Sequence, residues 1–200
     1  MRLARTTRVV LSLLLMATSV AHAHLVSTGL GPFYDGGLHL ALSPEDLLLI
    51  LAGALLAGLQ GKQAGRWVLA TLPLAWFLGG LMARYLVPLP VMTGLTVVSF
   101  LVLGVLVAIN LDLPVWSVST LVGACGLLHG ASNGDALLQT NQGLGTLLGI
   151  VSTVFVFTLL VTAAVASLRP TWTRIAARVA GSWVAAVGML MLGWLYRAGG

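Results

Sequence analysis

The chain consists of long apolar runs separated by short polar breaks. Beyond residue 43 there are six such runs, over 44–59, 67–87, 90–111, 114–138, 144–168 and 175–196. Most are close to the length of about twenty residues that crosses a bilayer as an α-helix. None shows the alternation of apolar and polar residues that a transmembrane β-strand requires. The pattern predicts an all-α, polytopic membrane helix bundle with six transmembrane helices.

The N-terminal pattern is different, because its apolar run is short and follows a basic segment. Arg2, Arg5 and Arg8 precede it, and small residues at positions 21 and 23 favour a cut after Ala23. This arrangement is typical of a secretory signal peptide, although an uncleaved first helix is the alternative. We therefore divide the chain into a signal peptide (1–23), a periplasmic segment (24–43) and a six-helix transmembrane domain (44–200). The glycine-rich segment 24–43 predicts no helix.

The composition supports a membrane protein and excludes several other classes. Hydrophobic residues make up 58% of the chain, charged residues 8%, and the mean hydropathy is +1.03. A soluble domain is about 45–50% apolar and about 25% charged, so these charges cannot cover a water-facing surface. The single cysteine, Cys125, excludes an internal disulfide and a CxxC redox site.

The distribution of charge predicts orientation rather than an anionic partner. The formal charge is +5, but three of the ten basic residues belong to the signal peptide, which leaves seven against five acids. Nucleic-acid binding therefore loses its main support. Five basic residues flank the loops predicted to be cytoplasmic and two lie on the other side, as the positive-inside rule requires. We expect a multi-pass protein of the bacterial inner membrane with both mature ends in the periplasm.

Local signals support the helix starts and the close packing of the helices. Residues 43–46, Ser-Pro-Glu-Asp, combine an N-cap serine, a proline at the first position and two acids in the first turn. Glycine is abundant, with 24 of 200 residues. Spacings such as Gly53–Ala57 and Gly145–Gly149 allow membrane helices to approach closely.

Ionisable residues within membrane spans are costly, so they are candidates for function. All the histidines and acids of the mature chain except Asp112 map to the outer side. His129 lies fifteen residues into the fourth span, roughly 22 Å from the inner end of a core about 30 Å thick. The topology allows one outward-facing cluster of imidazoles and carboxylates, which suits a divalent transition metal. The candidate ligands are His24, His39, Asp46, His129 and Asp135, with Asp35, Glu45, Ser132 and Asn133 as weaker candidates.

His24 gains a second donor if the signal peptide is removed. As residue one of the mature chain it would offer its imidazole and a free α-amine, a pair suited to copper or nickel. The other candidates have structural readings that the sequence leaves open. Asp46 and Glu45 are well placed to stabilise a helix N-terminus, and His39 fits an interfacial histidine. Hydrogen bonding to a neighbouring helix is the alternative role of His129.

Two segments resemble motifs of the HupE/UreJ family of small membrane proteins. In that family a histidine close to the signal peptide is followed by H-P-x-x-G-x-D-H and later by H-G-x-A-H-G-x-E. Here His24 follows Ala-His-Ala, residues 31–48 cover the first motif region, and HGASNGDA at 129–136 covers the second. The resemblance implies uptake of nickel or cobalt, in proteins often encoded near hydrogenase or urease genes.

The motifs match only in part. His39 matches the leading histidine of the first motif, whereas Glu45 and Asp46 fall where the family has Asp and His, and its proline and glycine are absent. In the second motif His129 and both glycines match.

Both of the other ionisable positions of the second motif differ here. Asn133 replaces its second histidine, and Ala136 replaces its glutamate, with Asp135 one position earlier. The chain is identified as a divergent member, so nickel specificity does not carry over with the motif.

The leading hypothesis is a metal-ion uptake permease, with the metal as substrate, the lipid bilayer as its surroundings and no organic cofactor. Nickel, cobalt, copper, zinc and iron all remain open. The alternative is a non-transporting accessory subunit, alone or as a homo-oligomer, that binds metal or a partner protein at its periplasmic face. An intramembrane serine protease is disfavoured because Ser132 is not followed by glycine and the last span has no histidine. We expect no enzymatic activity.

Overall fold

The computed structural model describes residues 28–83, 91–139, 143–167 and 171–198, which are helical apart from short connections. No strand occurs in these ranges. The described residues form seven helices: α1 (Pro32–Ala41), α2 (Pro44–Gln60), α3 (Lys62–Met82), α4 (Val91–Ile109), α5 (Val115–Gln139), α6 (Leu144–Ala166) and α7 (Thr171–Ala198).

Four of these helices are long and apolar enough to cross a membrane, namely α3, α5, α6 and α7. The bent pair of α1 and α2, whose axes differ by 74°, adds a fifth if it forms one broken span. The apolar part of α4, Thr93–Ile109, is shorter. The prediction of an all-α, multi-pass membrane protein is therefore confirmed, while the count of six crossings stays a prediction. The predicted signal peptide and His24 lie outside the described residues.

Helix α1 was not expected, and the prediction that 24–43 contains no helix was wrong over Pro32–Ala41. Pro32 occupies the first turn, where its missing N–H costs nothing. Gly36 lies directly on the backbone carbonyl of Thr146 in α6, and Gly149 of α6 lies on the carbonyl of Phe33. Packing against α6 thus outweighs the low helix propensity of glycine, which here permits the close approach.

Helix α2 lies at the centre of the bundle. All eight residues from Ala52 to Leu59 are buried, so most of its surface meets protein rather than lipid. Around it α3 packs along α5, α4 packs along α7, and α6 contacts α1, α2 and α3. The two ends of the bundle differ in the charge of their side chains. We call the end near Glu45, Asp46 and Asp135 the acidic end.

The opposite end, which we call the basic end, contains Lys62 and Arg66 at the start of α3. Arg174 donates to the Leu59 carbonyl (3.2 Å) and Arg178 to the Ala108 carbonyl (2.9 Å), which brings the start of α7 to the same end. The short turn from α2 to α3 is made by Gly61, whose φ of 104° is unfavourable for other residues.

Glycines on α5 place its backbone directly on α3. Gly130 lies against the carbonyl of Trp76, Gly134 against Gly80, and Gly126 against Leu72. The spacing of four residues puts all three on one face of α5, so the two helices meet without intervening side chains. This contact sets the position of Trp76 relative to the polar residues of α5.

The start of α2 agrees with its predicted position, but the Ser43 side chain makes no capping hydrogen bond. Ser43 is the N-cap residue and Pro44 follows at the first helical position. The Ser43 hydroxyl donates instead to the His39 carbonyl of α1 (2.8 Å), which joins the two helices at their bend.

Candidate functional site

A buried histidine–aspartate pair lies in the half of the bundle toward the acidic end. His129 of α5 and Asp46 of α2 are 2% and 7% exposed, and His129 Nδ1 lies 3.0 Å from Asp46 Oδ1. The imidazole is also enclosed by aromatic rings, with centroid distances of 5.6 Å to Trp76 and 6.5 Å to Phe100. Burial of a carboxylate in such surroundings is costly unless hydrogen bonds compensate it.

Asn133 supplies part of that compensation. It lies one helical turn after His129, and its Nδ2 donates to Asp46 Oδ2 (3.1 Å) and to the His129 carbonyl (3.0 Å). Both carboxylate oxygens of Asp46 therefore accept a hydrogen bond. The amide oxygen Oδ1 of Asn133 is buried and has no hydrogen-bond partner in the part of the chain that the structure describes. This oxygen is therefore an unused hydrogen-bond acceptor beside the Asp46–His129 pair.

Ser99 of α4 contacts the other side of the imidazole. Its Oγ is 3.0 Å from His129 Nε2 and 2.6 Å from the Thr96 carbonyl, to which it donates. A hydroxyl has one proton, so these two acceptors compete for it whenever Nε2 carries a lone pair. Three helices thus converge on one imidazole, and both of its ring nitrogens are engaged.

The position of Asp46 reconciles two expectations from the sequence. It is the third residue of α2, where the helix macrodipole stabilises a carboxylate. It is also directed at an imidazole, unlike Glu45, which is exposed. Stabilisation of the helix terminus therefore explains the position of Glu45, but it does not explain why Asp46 is buried.

Among the remaining predicted ligands, His24 lies outside the described residues. His39 lies half-buried on α1 and Asp135 half-buried on α5. Within the described ranges, no three side chains of His, Cys, Asp or Glu are grouped closely enough to hold a metal ion. The predicted five-residue cluster therefore stays a prediction, of which the structure brings Asp46 and His129 together.

The weaker candidates have separate surroundings, apart from Asn133. Asp35 lies in the first turn of α1, and its carboxylate accepts hydrogen bonds from the Thr28 backbone N–H and hydroxyl, both at 2.6 Å. Ser132 is exposed on α5.

Sequence reasoning missed Ser99, Phe100 and Trp76 as neighbours of His129. Ser99 has no ionisable group and lies among many hydroxyls in apolar spans, so nothing distinguished it locally. Trp76 is fully buried, whereas the other five tryptophans are at least half exposed. Its position in the middle of a predicted span was the available signal.

The fold and this site define a class: a multi-pass helical membrane protein with a buried histidine–aspartate pair. Comparison with known families is more specific. The family described as HupE / UreJ protein matches residues 11–191. The chain belongs to the HupE/UreJ family, whose members are accessory or permease-like membrane proteins.

One curated relative covers almost the same length. Protein HupE of Rhizobium leguminosarum bv. viciae is 29% identical over 184 residues, which span 87% of this chain and 91% of the relative. No solved structure matches this chain. Family membership indicates a nickel- or cobalt-related accessory or transport role.

Proposed function

We propose that the protein is an uptake permease, or the uptake component of one, for a divalent transition-metal ion. The observation that carries the proposal is the buried Asp46–His129 pair, which lies near the acidic end of a membrane bundle of the HupE/UreJ family. Buried ionisable pairs inside membrane bundles commonly mark ion pathways. The cation, whether nickel, cobalt, copper, zinc or iron, is the substrate.

The chemistry of the pair suits this role. An ionised carboxylate only accepts hydrogen bonds, so the contact with Asp46 assigns the ring proton to Nδ1 of His129 and leaves a lone pair on Nε2. A histidine oriented by a carboxylate in this way is a common metal ligand. The Asp46 carboxylate lies on the Nδ1 side of the ring, and the Ser99 hydroxyl oxygen lies 3.0 Å from Nε2.

Ser99 allows Nε2 to be exposed at little cost. Because its hydroxyl also reaches the Thr96 carbonyl, it can release Nε2 and still donate a hydrogen bond. A cation that takes the lone pair of Nε2 therefore leaves no hydroxyl unsatisfied. In this proposal the Ser99 hydroxyl is hydrogen-bonded to Nε2 until the metal ion replaces it.

Orientation and topology complete the proposal. With the basic end in the cytoplasm, the positive-inside rule is satisfied and the pair faces the periplasm. Helices α2 and α4 then also cross the membrane. Helix α2 is about 25 Å long at 1.5 Å per residue, and as a largely protein-covered helix it need not match the thickness of the lipid. His24, His39 and Asp135 would capture the ion before it reaches the pair.

One observation favours the non-transporting alternative. Toward the basic end the buried face of α2 consists only of Leu, Ile, Ala and Gly from Leu49 to Leu59. A cation leaving the pair would find no donors along this helix. An accessory subunit that binds metal or a partner at the periplasmic face needs no such path.

Transport into vesicles separates the two functions. Purified protein is reconstituted into liposomes containing a metal-responsive dye, and nickel, cobalt, copper, zinc and ferrous iron are added in turn outside. A permease raises the internal signal for at least one ion above that of protein-free liposomes. Stoichiometric binding without internal signal supports the accessory function instead, and absence of both contradicts the proposal.

Ser99→Ala is expected to tighten binding of the transported metal by about 2–10-fold. The substitution removes a hydrogen bond that competes for Nε2, and such bonds contribute about 0.5–1.5 kcal/mol. Titration of the purified protein with the metal measures the change. Ser152→Ala is the control, because that hydroxyl bonds only to the Leu148 carbonyl at an exposed position. Weaker binding in Ser99→Ala would show that the hydroxyl supports the site rather than covers it.

The mature protein is expected to begin at His24. Signal peptidase requires small residues before the cut, and Ala21 and Ala23 provide them. Intact-mass spectrometry of protein isolated from membranes measures the N-terminus, and Ala23→Arg should block cleavage. An intact chain beginning at Met1 would remove the α-amine of His24 from the proposed capture site.

A further inference from the structure

A groove at the basic end carries positive charge at its mouth and apolar walls below. It lies between α3 and α6 and has a volume of about 520 Å³. Lys62 and Arg66 line it where α3 begins, while Leu69, Leu159 and Ala163 line it further along the helices. The groove is separate from the Asp46–His129 pair.

The two cations share one face of α3. Lys62 and Arg66 are four residues apart, which places them one above the other on a helix. Both are exposed, and they lie within the first turns of α3, where the helix macrodipole adds positive potential. The mouth of the groove is therefore built to attract an anion.

Within the described residues, no carboxylate is paired with either of these cations. The sequence has five acids, and Asp35, Glu45, Asp46 and Asp135 belong to the acidic end. The fifth, Asp112, lies in the turn between α4 and α5. Across the described segments, neither Lys62 nor Arg66 forms an ion pair with a carboxylate. Both cations are therefore available to an anionic ligand.

The depth of the groove selects the kind of anion. Leu69 lies seven residues after Lys62, about 10 Å along the helix axis. A soluble anion would use only the charged mouth and leave the apolar wall exposed to lipid. A phospholipid places its phosphate at the membrane surface and its acyl chains below, which matches the order of cation and apolar wall found here.

We propose that this groove binds one anionic phospholipid, with its headgroup phosphate between Lys62 and Arg66 and an acyl chain along Leu69 and Leu159. Gly65 supports the arrangement, because a Cβ there would lie 2.6 Å from the Thr162 side chain of α6, so the helices meet closely at the groove floor. The lipid therefore bridges α3 and α6.

Native mass spectrometry of the detergent-purified protein with added phosphatidylglycerol tests the proposal. One lipid should bind more tightly than phosphatidylcholine, and the Lys62→Gln, Arg66→Gln double variant should lose about 30-fold in affinity, at about fivefold per basic residue. Arg197→Gln, which removes an exposed cation at the acidic end, is the matched control and should bind as the parent does.

A second variant tests the apolar wall with the charges kept. Ala163→Phe fills the groove and should weaken phosphatidylglycerol binding without changing the net charge. Thermal unfolding in detergent checks that both variants remain folded. We expect that they do, because the substituted residues are exposed. Unchanged binding in both, equal loss in Arg197→Gln, or equally tight binding of glycerol phosphate would each overturn the proposal; the last would identify a soluble anion as the ligand.

Discussion

His129→Ala is expected to reduce metal uptake to the level of protein-free liposomes. The substitution removes the proposed ligand nitrogen and the hydrogen bond to Asp46, and it leaves the buried carboxylate with the hydrogen bond from Asn133. Removing one partner of a buried ion pair typically costs about 3–5 kcal/mol. We therefore expect loss of function together with a lower melting temperature.

Two further variants separate these effects. His129→Gln retains an amide that can donate to Asp46 but lacks the basic nitrogen, so it should restore much of the stability without restoring uptake. Ser132→Ala removes a polar group from an exposed position of the same segment and should change neither property. Uptake by His129→Gln equal to that of the parent would contradict a ligand role and leave His129 as a structural residue.

Gly130→Ala is expected to lower both the stability of the bundle and its metal uptake. A Cβ at this position would collide with the backbone carbonyl of Trp76, and backbone cannot move aside as a flexible side chain can. Forcing extra volume into a packed contact costs about 1–3 kcal/mol, occasionally more. Separation of α3 from α5 also shifts Trp76 away from the His129 ring, so uptake should fall as well.

Gly123→Ala is the matched control on the same helix. There the nearest atom to a new Cβ is the Thr71 Cβ at 3.8 Å, an ordinary contact distance. Alanine also favours a helix over glycine by about 1 kcal/mol. Thermal unfolding in detergent should therefore show a lower melting temperature for Gly130→Ala and an equal or higher one for Gly123→Ala. Equal destabilisation by both would show that the close contact at Gly130 is not specific.

The helix boundaries show how much of the fold the apolar pattern of the sequence predicts. The run predicted over 144–168 corresponds to Leu144–Ala166, and the one over 114–138 to Val115–Gln139. By contrast α3 begins at Lys62 rather than at 67. Its first turn is polar and lies at the end of the bundle, so the apolar pattern did not include it. Local pattern also excluded α1, since glycine is unfavourable in an isolated helix.

The candidate site was predictable in part. Unusual polarity within an apolar span singled out His129 and Asn133, and counting residues placed His129 in the outer half of the bundle. The contact with Asp46 joins residues 83 positions apart, and that with Ser99 joins residues 30 apart. No local spacing predicts these contacts.

The sequence by itself determined that this is a multi-pass helical membrane protein and which residues carry its rare buried charge. It could do so because the bilayer acts as the solvent: the length and polarity of each segment decide its fate without reference to a partner. The tertiary structure alone decided that α1 forms and that Asp46, His129, Asn133 and Ser99 meet. These outcomes depend on the rotation and separation of neighbouring helices, which backbone contacts at Gly36, Gly130 and Gly149 set.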